Sequence, residues 1–394
     1  MRRKVSIFGS TGSIGCNTVS LIEAQGGAEA YEVVAVTGAT NLSLLAEQAV
    51  RLKAKYAVTS IPSKLTDLQS LLYGSGITSL AGPEGLLEAA RVPVDWTMSA
   101  IVGFAGLAPG LESARHGGVI ALANKESLVC AGDLFMRTCR EHGTELLPVD
   151  SEHSAIYQAL CGEKMSEVER IILTASGGPF REKPLADLTD VTPEQACKHP
   201  NWDMGQKISI DSASMFNKAM EVIETKYLFG IDGDRIEVVV HPQSAVHSMV
   251  GFCDGAVMAH LGPTDMRGSI GYALNWPERR PLPLEPFDLV ALGRLDFAAV
   301  DHEKFPSVNL AYRALREGGL AGAVFNAAKE AALEGFIAGF IGFLDMSRLV
   351  EHVMDEIAGE AAQFGSEYDL SDVQRIDGVS RVAARSWISR HNRK

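Results

Sequence analysis

The sequence predicts an α/β protein in three parts: a parallel-sheet domain over residues 1–150, a central α/β domain over 151–285 and a carboxy-terminal helical bundle over 312–394, with 286–311 as a linker. Three observations lead to that reading. Short β-rich runs alternate with amphipathic helical stretches through the first domain. The first of those runs ends in a glycine-rich turn that opens a helix. Past residue 311 the β pattern stops, and stretches with helical spacing follow one another.

The β-rich runs of the first domain are 4–8, 32–37, 56–59, 95–100, 119–123 and 145–149. Between them, Leu42, Leu45, Ala46, Ala49 and Leu52, then Leu65, Leu68, Leu71 and Leu72, keep the spacing that gathers apolar side chains on one helix face. Such alternation implies a parallel sheet covered on both faces, with a ligand crevice at the carboxy-terminal ends of its strands. At the first of those ends stands Gly9-Ser-Thr-Gly-Ser-Ile-Gly15. Glycines there permit a tight turn and let backbone N–H groups at a helix start approach a pyrophosphate. The spacing, GxxGxxG, also describes an ordinary turn. Its place inside a βαβ unit makes the domain Rossmann-like and points to a dinucleotide, with Thr11, Gly12, Ser13 and Ile14 in contact. The second run ends in Thr37-Gly38-Ala39-Thr40-Asn41. No acid stands there to hold a ribose 2′-hydroxyl, which leans from NAD toward NADPH, though no Arg or Lys stands ready for a 2′-phosphate either. Gly38, Ala39 and Asn41 complete this group of expected cofactor contacts.

The candidate chemistry begins where the first domain ends. Asn124-Lys125-Glu126-Ser127 follows the fifth run, and the sixth leads into Asp150-Ser151-Glu152-His153. In an extended segment residues i and i+2 share a face, so Asp150 and Glu152 can converge, and carboxylates that close would need a cation between them. The same residues also spell a helix cap with an acid in the first turn. Further on, 207–211 reads as a short strand and 212–229 as a helix with Ser212 at its anion-friendly start. That helix puts Asn217, Lys218 and Glu221 on one surface. A carboxylate beside an amide and an ammonium suits a metal-bound phosphosugar; the plainer reading is a surface Lys–Glu pair. Ligands that are all oxygen favour Mg²⁺ or Mn²⁺ over zinc.

Thr174-Ala-Ser176-Gly-Gly-Pro-Phe180 reads either as a phosphate-cradling turn or as a surface turn. From there the chain runs through Pro179, Pro184, Pro193 and Pro200 to His199-Pro-Asn-Trp202-Asp-Met-Gly205, and the stretch of about 176–206 is expected to be a mobile lid. Trp202 on it could exclude water and His199 could bind phosphate or move a proton, although a Trp is as readily packing and a His a structural hydrogen-bonder.

Composition narrows the partners. Lys and Arg total 36 against 49 Asp and Glu, a formal charge of −13, which repels nucleic acid over most of the surface. The six cysteines show no CxxC pair, so neither a disulfide framework nor a zinc knuckle is expected. The apolar stretch 335–344 is half a membrane span and reads as a core helix. Cytoplasmic residence follows as an expectation. The carboxy-terminal helices are expected at 311–317, 321–335, 346–364 and 373–390.

Taken in order, these segments resemble the 1-deoxy-D-xylulose 5-phosphate reductoisomerase family. The carriers are Gly9–Gly15, Ala123-Asn-Lys-Glu-Ser-Leu128, Leu147-Pro-Val-Asp-Ser-Glu-His153, Ser176-Gly-Gly-Pro-Phe180, His199-Pro-Asn-Trp-Asp-Met-Gly205, Lys207-Ile-Ser-Ile-Asp-Ser212, Asn217-Lys218 with Glu221, and His241-Pro-Gln-Ser-Ala-Val-His-Ser248. The resemblance spans Gly9 to beyond residue 330. It implies that Asp150, Glu152 and Glu221 bind a divalent metal (Mg²⁺, Mn²⁺ or Co²⁺), and with Lys125 form the catalytic group. Ser176, Ser212, Asn217 and Lys218 would hold the phosphate end of the substrate, with Lys125, Ser151, Glu152, His199, Glu221, the flap residue Trp202 and the apolar Met266 also touching it. Asn124, Glu126 and Gly205 would join the glycine-rich turn around NADPH. The implied reaction is a retro-aldol and aldol rearrangement of 1-deoxy-D-xylulose 5-phosphate followed by hydride reduction, in a homodimer formed through the central domain. The chain departs from the pattern at Ala39-Thr40, where family members often carry a basic residue. The competing expectations are another NAD(P)-dependent dehydrogenase of a phosphorylated substrate, which would need no carboxylate triad, and a non-catalytic redox sensor, which would usually carry a partner module.

Overall fold

The computed structural model describes residues 2–198, 202 and 205–392. Contacts divide the chain into two compact units. The first comprises Met1–Ser127, Phe135–Ser154 and Asp265–Glu285; the second comprises Leu128–Leu134, Ala155–Thr264 and Pro286–Lys394.

The first unit is built on seven strands, β1 (Arg3–Phe8), β2 (Tyr31–Gly38), β3 (Tyr56–Thr59), β4 (Thr78–Ala81), β5 (Trp96–Ser99), β6 (Val119–Leu122) and β7 (Glu145–Pro148), in the order β4-β3-β2-β1-β5-β6-β7 with every neighbouring pair parallel. Val5, Ile7, Val33 to Val36, Ala57, Val58, Met98 and Ile120 are buried, as strands covered on both faces require. All six expected runs are strands. The seventh, β4, was not legible because its four residues, Thr-Ser-Leu-Ala, are short, half-exposed and without β-branched density. Strand order reverses between β1 and β5, which makes that point the crevice of a doubly wound sheet. Residues 265–285, expected in the central domain, belong by contact to this unit. Trp96 is fully buried and its indole N–H needs an acceptor, which it finds in Ala273 O at 3.0 Å on the Arg267–Asn275 helix.

The second unit holds a five-stranded mixed sheet, β8 (Val168–Ala175), β9 (Ile236–Val240), β10 (Val246–Phe252), β11 (Val257–Leu261) and β12 (Ala298–Ala299), in the order β11-β10-β8-β9-β12. β8 and β9 are parallel; the other pairs are antiparallel. The expected linker therefore supplies an edge strand. The stretch 207–211, expected as a strand, is helical within Gln206–Ala213. Its Ile-Ser-Ile alternation imitates a strand, but five residues cannot separate the two periods. The expected 212–229 helix is in fact Phe216–Phe229, broken from its predecessor by Met215 at φ 61°. The carboxy-terminal helices are Ser307–Glu317, Ala321–Ile337, Asp345–Ala361 and Leu370–His391, with Ala321–Ile337 buried nearly all round. The apolar stretch 335–344 is not one helix. It turns after Ile337, and Phe336, Ile341 and Phe343 are buried on either side of the turn.

Candidate functional site

In the first unit the glycine-rich turn behaves as a cradle. Gly12 caps the Ser13–Ala24 helix, which begins shortly after β1 ends at Phe8 and has no side-chain cap on its first N–H groups. A Cβ on Gly15 would stand 2.1 Å from Gly9 O, so only glycine lets the helix start approach the turn this closely. At the end of β2, Gly38 packs against the Thr11 side chain, Ala39 O accepts from Thr59 Oγ1 at 3.0 Å, and the exposed Asn41 caps the Leu42–Arg51 helix through Leu44 N. A strand end, a helix start and a backbone free of bulk fit a dinucleotide pyrophosphate.

Asn124 builds the wall on the far side of the switch point. Its amide donates to Ile101 O at 2.6 Å, Gly103 O at 2.9 Å and Glu126 Oε2 at 2.8 Å, while its Oδ1 accepts from Ser127 N at the head of the Lys125–His142 helix. The loop it holds exposes Val102 at 75%. An apolar side chain left open at the mouth of a crevice was missed in the sequence; the signal is Ala100-Ile-Val-Gly103 directly after a strand at the switch point.

Lys125 reaches Asp150 Oδ2, while Asp150 Oδ1 accepts from Glu152 N at 3.1 Å and His153 N at 3.3 Å. Asp150 therefore is the helix cap that one reading expected. The extended-segment argument fails, because Ser151 is already helical. The carboxylates still converge: Asp150 and Glu152 each offer an oxygen within 4.8 Å of the other. Ser151 Oγ donates to Glu152 Oε2, and the buried His153 lies 3.4 Å from Asp150. Two adjacent carboxylate oxygens at a helix head fit a hard divalent cation. Met266 precedes the Arg267–Asn275 helix and is half-buried, flanked by Asp265 and Arg267.

In the second unit Lys218 and Glu221 are an ion pair with both side chains buried, and Asn217 Nδ2 donates to Glu221 Oε1 at 2.6 Å. That excludes the surface-pair reading. Charges removed from water are costly unless further partners satisfy them, and Asn217 Oδ1 is itself buried with no partner. Ser176 Oγ accepts from Gly178 N at 3.2 Å, and Gly178, at φ 67°, backs onto the next segment so closely that a Cβ would sit 3.1 Å from Ser212 O. Ser212 lies in the last turn of the Gln206–Ala213 helix rather than at a helix start, a consequence of the break at Met215. Gly205 caps that helix at its other end. Thr174 Oγ1 ties β8 to Val246 O and His247 O, both at 2.7 Å. Trp202 is half-buried with its ring 6.4 Å from that of His247. The expected lid contains a short helix, Pro193–Ala196, fixed by a Thr192–Gln195 capping box. His199 lies outside the described residues.

Sequence profiles described as 1-deoxy-D-xylulose 5-phosphate reductoisomerase match residues 5–132, and profiles for its C-terminal domains match 146–229 and 261–383. The chain is 59% identical to the 1-deoxy-D-xylulose 5-phosphate reductoisomerase of Ruegeria pomeroyi, over 96% of this chain and 95% of that one. It is 53% identical to that of Cereibacter sphaeroides over the full length of both. Among solved structures, the Zymomonas mobilis reductoisomerase in complex with NADPH aligns with a TM-score of 0.90 at 45% identity, covering 98% of this chain and 99% of that one. A DOX-P reductoisomerase in complex with NADPH, fosmidomycin and magnesium aligns with a TM-score of 0.93 at 38% identity, covering 98% of each.

Proposed function

The chain belongs to the 1-deoxy-D-xylulose 5-phosphate reductoisomerase family, and from that premise we propose which of its residues carry the reaction. The protein catalyses the NADPH-dependent conversion of 1-deoxy-D-xylulose 5-phosphate to 2-C-methyl-D-erythritol 4-phosphate, a step toward isoprenoid precursors. The alternative, another dehydrogenase of a phosphorylated substrate, leaves the buried acid of the second unit without a purpose. The observation that carries the residue assignment is the buried Asn217, Lys218 and Glu221 group, which follows directly on the segment backed by the Ser176 turn.

Asp150, Glu152 and Glu221 would hold a divalent cation (Mg²⁺, Mn²⁺ or Co²⁺), which would supply Lewis-acid polarisation of the substrate ketone and its neighbouring hydroxyl, and bound NADPH would supply the hydride. Lys218 and Asn217 bind the phosphate through charge-assisted hydrogen bonds, joined by the hydroxyls of Ser176 and Ser212. Lys125, paired with Asp150, places an ammonium where negative charge develops on a substrate oxygen. Ser151, His199 and Met266 complete the substrate's surroundings, and Trp202 covers it and excludes water. Holding phosphate and diol at separate points keeps the pieces of a retro-aldol and aldol rearrangement aligned. Thr11, Gly12, Ser13, Ile14, Gly38, Ala39, Asn41, Asn124, Glu126 and Gly205 hold NADPH. The division proposed is 1–150 for the dinucleotide, 151–285 for catalysis and dimerisation with a lid over about 176–206, a 286–311 linker and a 312–394 helical bundle, corrected in that residues 265–285 pack with the first unit and Ala298–Ala299 of the linker pair with the second sheet. The protein acts in the cytoplasm as a homodimer. No described helix is long and apolar enough to cross a membrane.

The test is NADPH oxidation driven by 1-deoxy-D-xylulose 5-phosphate. EDTA is expected to abolish it and Mg²⁺ or Mn²⁺ to restore it, and Glu221→Gln should lower kcat by at least about 10²-fold while keeping NADPH affinity. Full activity in EDTA, or a Glu221→Gln enzyme with normal kcat, would remove the metal assignment.

A further inference from the structure

Behind Ser212 lies an ion pair that the reaction as described does not use. Lys329, on the Ala321–Ile337 helix, places its Nζ 3.0 Å from Asp211 Oδ2, and both residues are buried. Burial pushes the Asp211 carboxyl up, and the Lys329 ammonium opposes that shift. A pair taken this far out of water contributes little net stability, because desolvation offsets much of the attraction. It does fix geometry, and what it fixes is informative: Asp211 is the chain neighbour of Ser212, and the Ser212–Ala213 backbone is the surface on which Gly178 of the Ser176 turn rests. Three residues before Lys329 on the same helix, Asn326 is fully buried with neither amide atom partnered, so this face of the helix carries more polar capacity than packing demands.

We propose that Lys329, acting through Asp211, is a positioning residue for the phosphate subsite, setting Ser212 against the Ser176 turn. This rests on the reading that Ser176, Ser212, Asn217 and Lys218 hold the phosphate. Neither Lys329 nor Asp211 needs to touch substrate; a small displacement of an oriented donor is enough to weaken its grip.

The experiment measures, in the full-length enzyme, KM for 1-deoxy-D-xylulose 5-phosphate, KM for NADPH, and the inhibition constant for inorganic phosphate. In Lys329→Met, KM for the sugar phosphate and the phosphate inhibition constant should rise together by about tenfold, the scale of a lost coupling between contacting groups. KM for NADPH should stay unchanged, and Lys329→Arg should recover most of the loss. Because Lys329→Met alone leaves Asp211 without its cation, the double variant Asp211→Asn, Lys329→Met provides a fold free of that buried charge and should show the same selective loss. An unchanged phosphate inhibition constant in the double variant, or NADPH and substrate losses of equal size, overturns the proposal. Ser212→Ala separates the premises. If it weakens phosphate while the double variant does not, positioning by Lys329 fails alone; if it too leaves phosphate inhibition unchanged, the phosphate reading fails and takes the proposal with it.

Discussion

Asp265 and Arg267 show how much a single charge can be asked to do. Arg267 Nη2 reaches Asp265 Oδ2 at 2.6 Å and Nε reaches Oδ1 at 3.0 Å, a bidentate clamp across Met266. Hydrogen bonding from the Arg267 side chain holds the Asp265 carboxyl below its usual range, against a smaller opposing effect of burial. A carboxylate whose folded value is depressed contributes stability that is present above its unfolded value, about 3.9, and is lost as pH falls through the folded one. Asp265→Asn should therefore lower thermal stability at pH 7, by under about 1 kcal/mol for a pair this exposed, and the difference from wild type should close in strong acid. A gap that widens as pH falls would contradict the clamp. At this scale the sequence was legible in kind but not in geometry. The sequence allows Asp150 as a cap or as a ligand; in the structure its Oδ1 caps, and its Oδ2 meets Lys125. Lys218 and Glu221 were legible as a pair, but nothing in their spacing says that both are buried, because burial is decided by the helices packed over them.

Among elements, the Lys125–His142 helix departs furthest from what periodicity can say. Its apolar spacing predicts nothing unusual, yet Ala131 leaves helical geometry at φ −143°, ψ 35°, and the chain kinks there. The next residue, Gly132, lies against the Tyr227 ring, and a Cβ on it would stand 2.3 Å from a ring carbon. Burial pushes the Tyr227 hydroxyl well above its usual range. Gly132→Ala should destabilise the protein by about 1–3 kcal/mol, the cost of overpacking, in thermal or urea unfolding. The same substitution made in a Tyr227→Leu background should cost clearly less. Equal costs in the two backgrounds would mean that glycine is there for the backbone alone. The elements that sequence reasoning misjudged share a cause. The stretch 207–211 is short enough to fit either period, β4 is half-exposed, and β12 is two alanines that pair only because β9 offers a free edge. Each is decided by contacts far away in sequence.

For the molecule as a whole, the order of motifs carries what local pattern cannot. The seven-stranded sheet follows from alternation, and its switch point from strand order, but association between chains leaves no motif. What the structure offers is exposed apolar surface on the second unit. Leu289 is 61% and Val290 91% exposed, Leu295 and Phe297 are open as well, and β12, directly after them, is an edge strand whose two residues are both exposed. On the opposite edge of the same sheet, β11 exposes Val257 and Met258. Apolar residues gathered in one segment beside an unpaired edge invite a partner, and an edge left bare is an aggregation risk that native proteins avoid. The dimer proposed above predicts that a second copy of the chain covers this surface. Light scattering on the purified enzyme should give twice the 42.2 kDa chain mass. Leu289→Lys with Val290→Lys should shift it toward one chain mass without unfolding the bundle, since neither side chain contributes to a core. A wild-type mass of one chain would remove the dimer. A wild-type dimer that survives the two lysines would move its interface away from this segment and leave the β11 edge to be charged next.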